Sequence, residues 1–232
     1  MFDFFLSPEK KIQKHQRKVT NRDVNAEDRE ASARWLSDQG SGKALRALLT
    51  RFDMNLTQGI HDAQEKEFLY GLLMQHGEAL LKPLRVHLKK CRQIAMPLKM
   101  FEELQGEQKT IEFVYALLDN ERRRIDFKPE KKTNLLIWLT TKRDDQAIEN
   151  VSGFLEDFDE NVRYAAAEVI IGQNDDAGRE PLLVVFHNPE EDSNRVRVRV
   201  CEVFCSRRWS LDGWEGELPP PYAVRDDRVV SG

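Results

Sequence analysis

The amino-acid sequence predicts an all-α protein, an α-solenoid of about five to six stacked helical hairpins followed by an extended C-terminal tail. Apolar residues recur every three or four positions in many segments, whereas alternation with a period of two barely occurs before Val196–Val200. The same arrangement of apolar residues also returns along the chain at intervals of 29 to 38 residues. Because a pair of such short helices cannot bury its apolar face alone, we expect successive pairs to stack side by side.

Composition and charge define the broad class of the protein. The 36 Lys and Arg residues nearly balance the 40 Asp and Glu residues, and the net charge of −4 is too small for charge-driven disorder. Three Cys exclude a disulfide framework, and no apolar run approaches the ~20 residues that cross a bilayer. Basic residues follow the first apolar stretch instead of preceding it, the reverse of a secretory signal. We therefore expect a soluble, cytoplasmic protein.

Three segments divide the chain. We expect an amphipathic and basic N-terminal segment at 1–24, the helical repeats at 25–208, and a Pro-rich tail at 209–232. Five apolar reference positions mark the repeats, and the residues three before, twelve after and sixteen after each of them are apolar in every case. These reference positions are Leu36, Leu72, Phe101, Leu139 and Ile170.

Polar or Gly-containing stretches separate the two helices that each repeat predicts. Ser37–Gly42 and Gly172–Asp176 are two of these stretches, and each predicts the end of one helix and the start of the next. The repeat pattern stops after Phe204, because the position twelve residues later is Gly216 and the position sixteen later is Pro220. The tail then contains Trp and Tyr residues that we expect to cover the end of the stack, and a frayed terminus over residues 225–232.

The last two repeats are the most alike, since residues 161–171 and 195–205 overlay without a gap. The pattern Asp159-x-x-Val162-Arg163-x-x-Ala166 resembles the start of HEAT repeats, and the resemblance is clearest over residues 130–208. It implies helical hairpins whose first helix is filled by small and apolar residues. In that family the Asp and Arg link neighbouring repeats, which implies a similar ladder from Asp159, Arg163 and Arg197.

No motif in the sequence identifies catalytic chemistry, and we assign no catalytic, cofactor-binding or metal-binding residue from it. A Gly-rich phosphate loop, a nucleophile elbow and an H-E-x-x-H zinc motif do not occur. Iron-binding hydroxylases built on HEAT-type repeats use His-Glu pairs as ligands, and none of the five His is followed by Glu. Cys201 and Cys205 share one helical face near His187, and we interpret them as core thiols, with a metal or redox role as the alternative.

Two clusters of basic residues are the candidate partner-binding positions. Stacked hairpins place their second helices along one surface, where these charges can form a patch for an anionic partner. The alternative is that they only complement the dipoles of helix C-termini. The candidate residues are Arg85, Lys89, Arg92, Arg122, Arg123 and Arg124.

The N-terminal segment is a candidate membrane or partner anchor. Phe2, Phe5 and Leu6 can share one helical face, and Lys10 and Lys11 follow them, as in a short interfacial anchor with basic support. The opening also resembles that of the bacterial cell-division topological specificity factor, whose N-terminal helix binds membrane. This resemblance implies peripheral contact with the anionic inner face of the membrane. The alternative is that the phenylalanines cap the first repeat.

The sequence favours a non-enzymatic adaptor or scaffold that binds another protein, of unknown identity, through a HEAT-repeat surface, although an enzymatic role stays open. A second hypothesis comes from some bacterial alkylpurine DNA glycosylases, which the chain resembles in size and in its HEAT-like hairpins. That resemblance implies a basic DNA-binding face, with Trp138 and Asp144 or Asp145 at the lesion. We rank binding to nucleic acid below binding to a protein, because no motif ties these residues together.

Overall fold

A computed structural model describes residues 6–122 and 129–232. These residues contain twelve α-helices and two β-strands. The helices are α1 (Pro8–Val19), α2 (Ala26–Gln39), α3 (Gly42–Leu49), α4 (Gly59–Met74), α5 (Leu81–Leu88), α6 (Ala95–Gln105), α7 (Glu107–Arg122), α8 (Pro129–Leu139), α9 (Ala147–Val151), α10 (Glu160–Gln173), α11 (Arg179–His187) and α12 (Asn194–Arg207). The strands are β1 (Tyr222–Arg225) and β2 (Arg228–Ser231).

The predominantly helical prediction is confirmed. The Val196–Val200 stretch, whose alternation resembles a strand, lies inside α12, because Ser193 caps the helix and its neighbours supply the helical pattern. No helix within the described ranges has both the length and the apolar character that crossing a bilayer requires.

The chain forms two compact units, the first ending at Leu117 and the second beginning at Leu118. In the first unit, α1 packs against both α2 and α3. Helix α2 also contacts α4, and α4 contacts α6, whereas α3 contacts α5. If α2 with α3 and α4 with α5 are taken as successive helical pairs, the first helix of one pair lies beside the first helix of the next. The second helices, α3 and α5, also lie side by side.

The second unit has the same kind of neighbours. Helix α10 packs between α8 and α12, and it also contacts α9. Helix α11 packs against α12, and β2 lies on α12. The serial contact of α8, α10 and α12 matches that of α2, α4 and α6 in the first unit.

The apolar positions of the repeat form the core of each unit. Every reference position and every residue three before, twelve after or sixteen after it is buried, with the exception of Leu72. Helix α4 buries Leu73 in place of Leu72, together with the expected Leu69, so this one position of its apolar face is displaced by one residue. Burial of large aliphatic side chains stabilises by about 1.5–3 kcal/mol each, which makes these positions the main stabilising contribution.

Three first helices have matching lengths and matching ends. Helices α2, α10 and α12 each have 14 residues, begin after a residue whose side chain accepts a hydrogen bond from the first turn, and end at a residue in the left-handed conformation. The reference positions in these helices are Leu36 in α2 and Ile170 in α10, and Phe204 is the equivalent residue in α12. In each helix the N-cap lies eleven residues before this residue and the C-cap lies four residues after it. The N-caps are Asn25, Asp159 and Ser193, and the C-caps are Gly40, Asn174 and Arg208.

The C-terminal tail differs from the extended, frayed segment that we predicted. Residues 222–231 form an antiparallel hairpin in which Ala223 pairs with Val230 and Val224 with Val229. Asp226 and Asp227 at the turn both have positive φ angles, as a two-residue hairpin turn of type I′ requires. The fraying prediction was wrong because this turn and the burial of Val229, which is 3% exposed, hold the strands in place.

The aromatic residues of the tail cover helices of the second unit, as predicted. The ring of Trp209 lies edge-on to Phe204 at 5.2 Å between centroids, and the ring of Trp214 lies 5.3 Å from Phe186. Leu211, which lies between these two tryptophans in the sequence, is fully buried. The tail therefore packs on α11 and α12 of this unit.

Candidate functional site

The first unit contains a cavity of about 500 Å³ lined by residues of α1, α3 and α5 and of the turns that follow α3 and α5. Three side chains with metal-ligating or nucleophilic atoms lie in its wall: Asp53, His87 and Cys91. One ligand atom from each lies within 4.8 Å of the other two. Among the described residues, no second group of three His, Cys, Asp or Glu side chains comes this close together.

Local backbone structure places His87 and Cys91 on one face. His87 is in the last turn of α5, and the amide of Cys91 donates to the carbonyl of His87 at 2.9 Å, so the helical path continues past the end of α5. Residues four apart in a helix lie above one another. The imidazole and the thiol are both buried, and the thiol donates weakly to the Leu88 carbonyl at 3.8 Å.

Asp53 reaches the same place from the 3₁₀ turn Thr50–Asp53 that follows α3. Its Oδ1 accepts hydrogen bonds from the backbone amides of Arg92 at 3.1 Å and Gln93 at 3.3 Å. Its Oδ2 lies 3.8 Å from Nε2 of His87. The two amides thus hold the carboxylate with one oxygen directed at the imidazole. Carboxylate, imidazole and thiol together are ligands that divalent transition metals bind.

Basic side chains surround this cluster. Lys43, Arg46 and Lys90 line the cavity, and Lys43 forms an ion pair with Glu9 on α1. The hydrogen bond from Lys43, followed by its charge, lowers the pKa of the Glu9 carboxyl below its ordinary value. Sequence reasoning missed the cluster, although the spacing of His87 and Cys91 carries the same signal that it recognised in Cys201 and Cys205.

The predicted partner-binding residues of the first unit are exposed. Arg85 lies over the rings of Phe101 and Phe113, with 4.9 and 5.2 Å to the ring centroids, and donates to Gln105 at 3.0 Å. Lys89 and Arg92 are exposed at and just beyond the end of α5. The structure therefore gives Arg85 a packing role as well as an exposed charge.

Arg122 belongs to the second unit. Its guanidinium lies 4.5 Å from the centroid of the Phe154 ring and beside Gly153. Arg123 and Arg124, which we predicted to extend this cluster, lie outside the described residues. The expectation that they form a patch stays a prediction.

The N-terminal segment contributes to the packing of the first unit. His15 of α1 stacks on Trp35 with 4.1 Å between ring centroids, and Val19 is 1% exposed. Lys10 is exposed, whereas Leu6 and Lys11 are half-buried. Phe2 and Phe5 lie outside the described residues, so the anchor that they would form stays a prediction. Helix α1 itself covers α2 and α3.

Buried Arg–carboxylate pairs link neighbouring elements inside each unit. Arg29 of α2 donates from Nη2 to Glu65 of α4 at 2.9 Å, and Arg51 donates to Asp62 and Glu65 at 2.8 and 2.7 Å. Burial alone would raise the pKa of Glu65, but hydrogen bonds from both arginines, together with their charges, outweigh it and lower this pKa. These carboxylates are therefore ionised and fixed in the fold.

The predicted Asp159–Arg163–Arg197 ladder is not what the structure forms. Asp159 accepts from the amides of Asn161 and Val162 and so caps its own helix. Arg163 pairs with Glu191 in the turn before α12, and Arg197 donates to the backbone carbonyl of Glu217. The linking role of Arg163 is present, with Glu191 as its partner.

Other residues considered for chemistry have local structural roles. Cys201 is fully buried, and this burial raises the pKa of its thiol to about 12, whereas Cys205 is half-buried. Trp138 is half-buried with the Lys142 ammonium 4.7 Å from its ring centroid, and Asp144 accepts from the amide of Gln146. These contacts do not add support to the DNA glycosylase hypothesis.

No protein-family model and no curated protein matches this sequence.

Proposed function

We propose that the protein is a HEAT-like helical-repeat adaptor that binds another protein through the exposed surface of its helices. The observation that carries this proposal is the equivalence of α2, α10 and α12, which share length, N-cap, C-cap and apolar register. Matching ends at a fixed register are typical of repeated supersecondary units, each of which buries its apolar face against its neighbours. Proteins built in this way use extended surfaces for binding.

Equivalent buried arginines support the same interpretation. Arg29 and Arg163 lie at the fourth position of α2 and α10, and each pairs with a carboxylate that the following repeat supplies, Glu65 or Glu191. Each also donates to the backbone carbonyl five residues before it. The arginine thus fixes the entry to its own helix and its neighbour at the same time, as a link between repeats does.

The exposed face of α5 is the proposed contact surface in the first unit. The surface also includes the residues just beyond the end of the helix, so that Lys82, Arg85, Lys89 and Arg92 follow one another at intervals of three or four residues. Val86 is exposed among them. Arginine held over aromatic rings keeps its charge outward at low entropic cost. An acidic segment with an apolar side chain matches this combination of charge and apolar surface.

A charge-reversal experiment tests the proposal. Wild-type protein and the Lys89→Glu/Arg92→Glu variant are immobilised and exposed to lysate of the native cells, and captured proteins are quantified by mass spectrometry. We leave Arg85 unchanged because its ring contacts contribute to stability. The matched control is Arg22→Glu/Lys109→Glu, which changes the net charge equally at exposed positions of the same unit.

We expect that wild type and the control capture a protein that the Lys89→Glu/Arg92→Glu variant does not capture. We also expect that this protein, once purified, binds wild type directly. Equal capture by all three forms would refute the proposal that the exposed face of α5 binds the partner. Binding to duplex DNA with an affinity that falls steeply as salt rises would instead support the nucleic-acid hypothesis, because neutralised phosphates release counterions.

Peripheral contact with an anionic membrane is the second part of the proposal and rests on the exposed Lys10 at the start of α1. Flotation with vesicles that contain phosphatidylserine compares wild type with Lys10→Glu/Lys11→Glu. Loss of flotation in the variant supports the contact. If wild type does not float with these vesicles, the proposed membrane contact is refuted. The proposal of protein binding is not affected by this result, because it has its own test.

A further inference from the structure

We infer that Asp53, His87 and Cys91 form a binding site for a divalent transition-metal ion of the zinc class, with its fourth coordination position facing the cavity of the first unit. The inference does not depend on the adaptor proposal, because Asp53, His87 and Cys91 are not part of the proposed contact surface, although Val86 borders both. It rests on the convergence of three ligand types from two separate segments of the chain.

The distances are close to those of a loaded site. Zinc binds nitrogen, oxygen and sulfur ligands at about 2.0–2.3 Å, so the ligand atoms of a tetrahedral site lie roughly 3.3–3.8 Å apart. Nε2 of His87 and Oδ2 of Asp53 are already 3.8 Å apart, and no pair in the cluster exceeds 4.8 Å. Side-chain rotations that shorten the longest separation by about 1 Å complete the geometry.

The surrounding backbone orients the ligands. Two amides hold Oδ1 of Asp53 and leave Oδ2 for coordination, which is the outer-shell support that metal-binding carboxylates receive. His87 and Cys91 are four residues apart on one helical path, the spacing that places two ligands of a helix on one ion. The backbone therefore already brings the three ligands together.

Charge balance favours the ion at this partly buried place, where His87 and Cys91 are buried and Asp53 is exposed. A carboxylate, a thiolate and a neutral imidazole carry two negative charges, which a divalent cation neutralises, so the ion compensates the charge of the buried thiolate. Arg46 and Lys90 line the same cavity, where Lys43 is paired with Glu9. Their charges favour an anion, such as hydroxide or a small carboxylate, as the fourth ligand.

Cobalt(II) titration of the tag-free full-length protein tests this inference directly. The protein is first freed of metal with a chelator, and thiolate-to-cobalt charge-transfer absorption is then followed. We expect one cobalt ion per chain, a tetrahedral spectrum, and displacement by zinc. The variants Cys91→Ala, His87→Gln and Asp53→Asn are expected to bind at least about tenfold more weakly. Asn at position 53 retains an oxygen for the two amides.

Cys201→Ala is the matched control, because it also removes a buried thiol. It is expected to keep the full cobalt spectrum. Absence of charge-transfer absorption in wild type, or its retention in Cys91→Ala, would overturn the inference.

A second measurement uses only the wild-type chain, in case the variants fail to fold. Zinc is expected to slow alkylation of Cys91, mapped by peptide mass spectrometry, while the rate at Cys205 stays unchanged. Equal rates at Cys91 with and without zinc would contradict the proposed site.

Discussion

Breaking the buried pair between Arg163 and Glu191 gives the sharpest test of how the repeats are held together. Nε of Arg163 lies 2.8 Å from Oε2 of Glu191, and Nη2 lies 2.9 Å from Oε1. Both residues are less than 10% exposed, and Nη1 also donates to two backbone carbonyls. Removing Glu191 leaves the guanidinium beside the exposed Asp192, 3.4 Å away, and removing Arg163 leaves the Glu191 carboxylate buried without this counter-charge. Loss of one partner of a buried pair costs up to about 3–5 kcal/mol.

The variants Glu191→Gln, Arg163→Met and their combination form a double-mutant cycle. Glutamine keeps the shape of Glu191 and one acceptor, so we expect a loss of about 2–3 kcal/mol in the free energy of unfolding. Arg163→Met also deprives the carbonyls of residues 157 and 158 of their donor, so we expect about 3–5 kcal/mol. The double variant is expected to lose less than the sum, with a coupling of about 1–3 kcal/mol.

Urea unfolding followed by far-ultraviolet circular dichroism measures these free energies. The control is Glu30→Gln, which breaks the Arg34–Glu30 pair on α2, where the two side chains are 55% and 48% exposed. That pair contributes at most about 0.5 kcal/mol. If Glu191→Gln costs no more than Glu30→Gln and the cycle is additive, the linking role of Arg163 is refuted.

Three further predictions follow from the structure, two for substitutions and one for a deletion. The arginine partners of Glu65 lower its pKa despite its burial, so its stabilising contribution is fully present above about pH 4.5 and is lost as the pH falls from there through the lowered pKa. Glu65→Gln should therefore destabilise the protein at neutral pH, and its stability should converge with that of wild type in acid. A Cβ at Gly178 would lie 2.9 Å from Cγ2 of Ile170, a stiff side chain, so Gly178→Ala should cost about 1–3 kcal/mol in urea unfolding. Deleting residues 222–232 removes the buried Val229 and should lower the melting temperature measurably, whereas an unchanged value would mean that the hairpin adds no stability.

The repeat could be predicted because burial imposes a regular pattern on apolar residues. Each helical hairpin buries the same positions, so Leu36, Leu139 and Ile170 have equivalent neighbours in the sequence as well as in the structure. Leu72 is the exception, because α4 has adjacent leucines at 72 and 73 and periodicity alone cannot choose between them. The buried face of a helix is thus predictable to within one residue.

The C-terminal hairpin was missed because its turn lacks the usual glycine. Asp226 and Asp227 occupy the two positions with positive φ, where Asn-Gly or Asp-Gly is the common signal. The flanking segments 222–225 and 228–231 contain Tyr and Val, which favour strands, but each is only four residues long and so too short to give a clear alternating pattern. Pairing with each other and packing of β2 on α12 stabilise them, and neither contact is visible in the local sequence.

The equivalence of Arg29 and Arg163 was also hidden, because the motif that identified Arg163 includes a valine before it. At position 28 the chain has Asp, so the first repeat lacks the Val-Arg pair. The structural requirement is the arginine alone, since its guanidinium binds the helix entry and the carboxylate of the next repeat. A search for Arg seven residues before each reference position would have found it.

The candidate metal site shows where reasoning from sequence reaches its limit. His87 and Cys91 are four residues apart and can be recognised as a pair, but two ligands do not define a site. The third, Asp53, precedes His87 by 34 residues and arrives only because α3 packs on α5. A site assembled across the contact between two repeats depends on that packing, and so a variant that shifts α3 against α5 should weaken metal binding without altering any ligand.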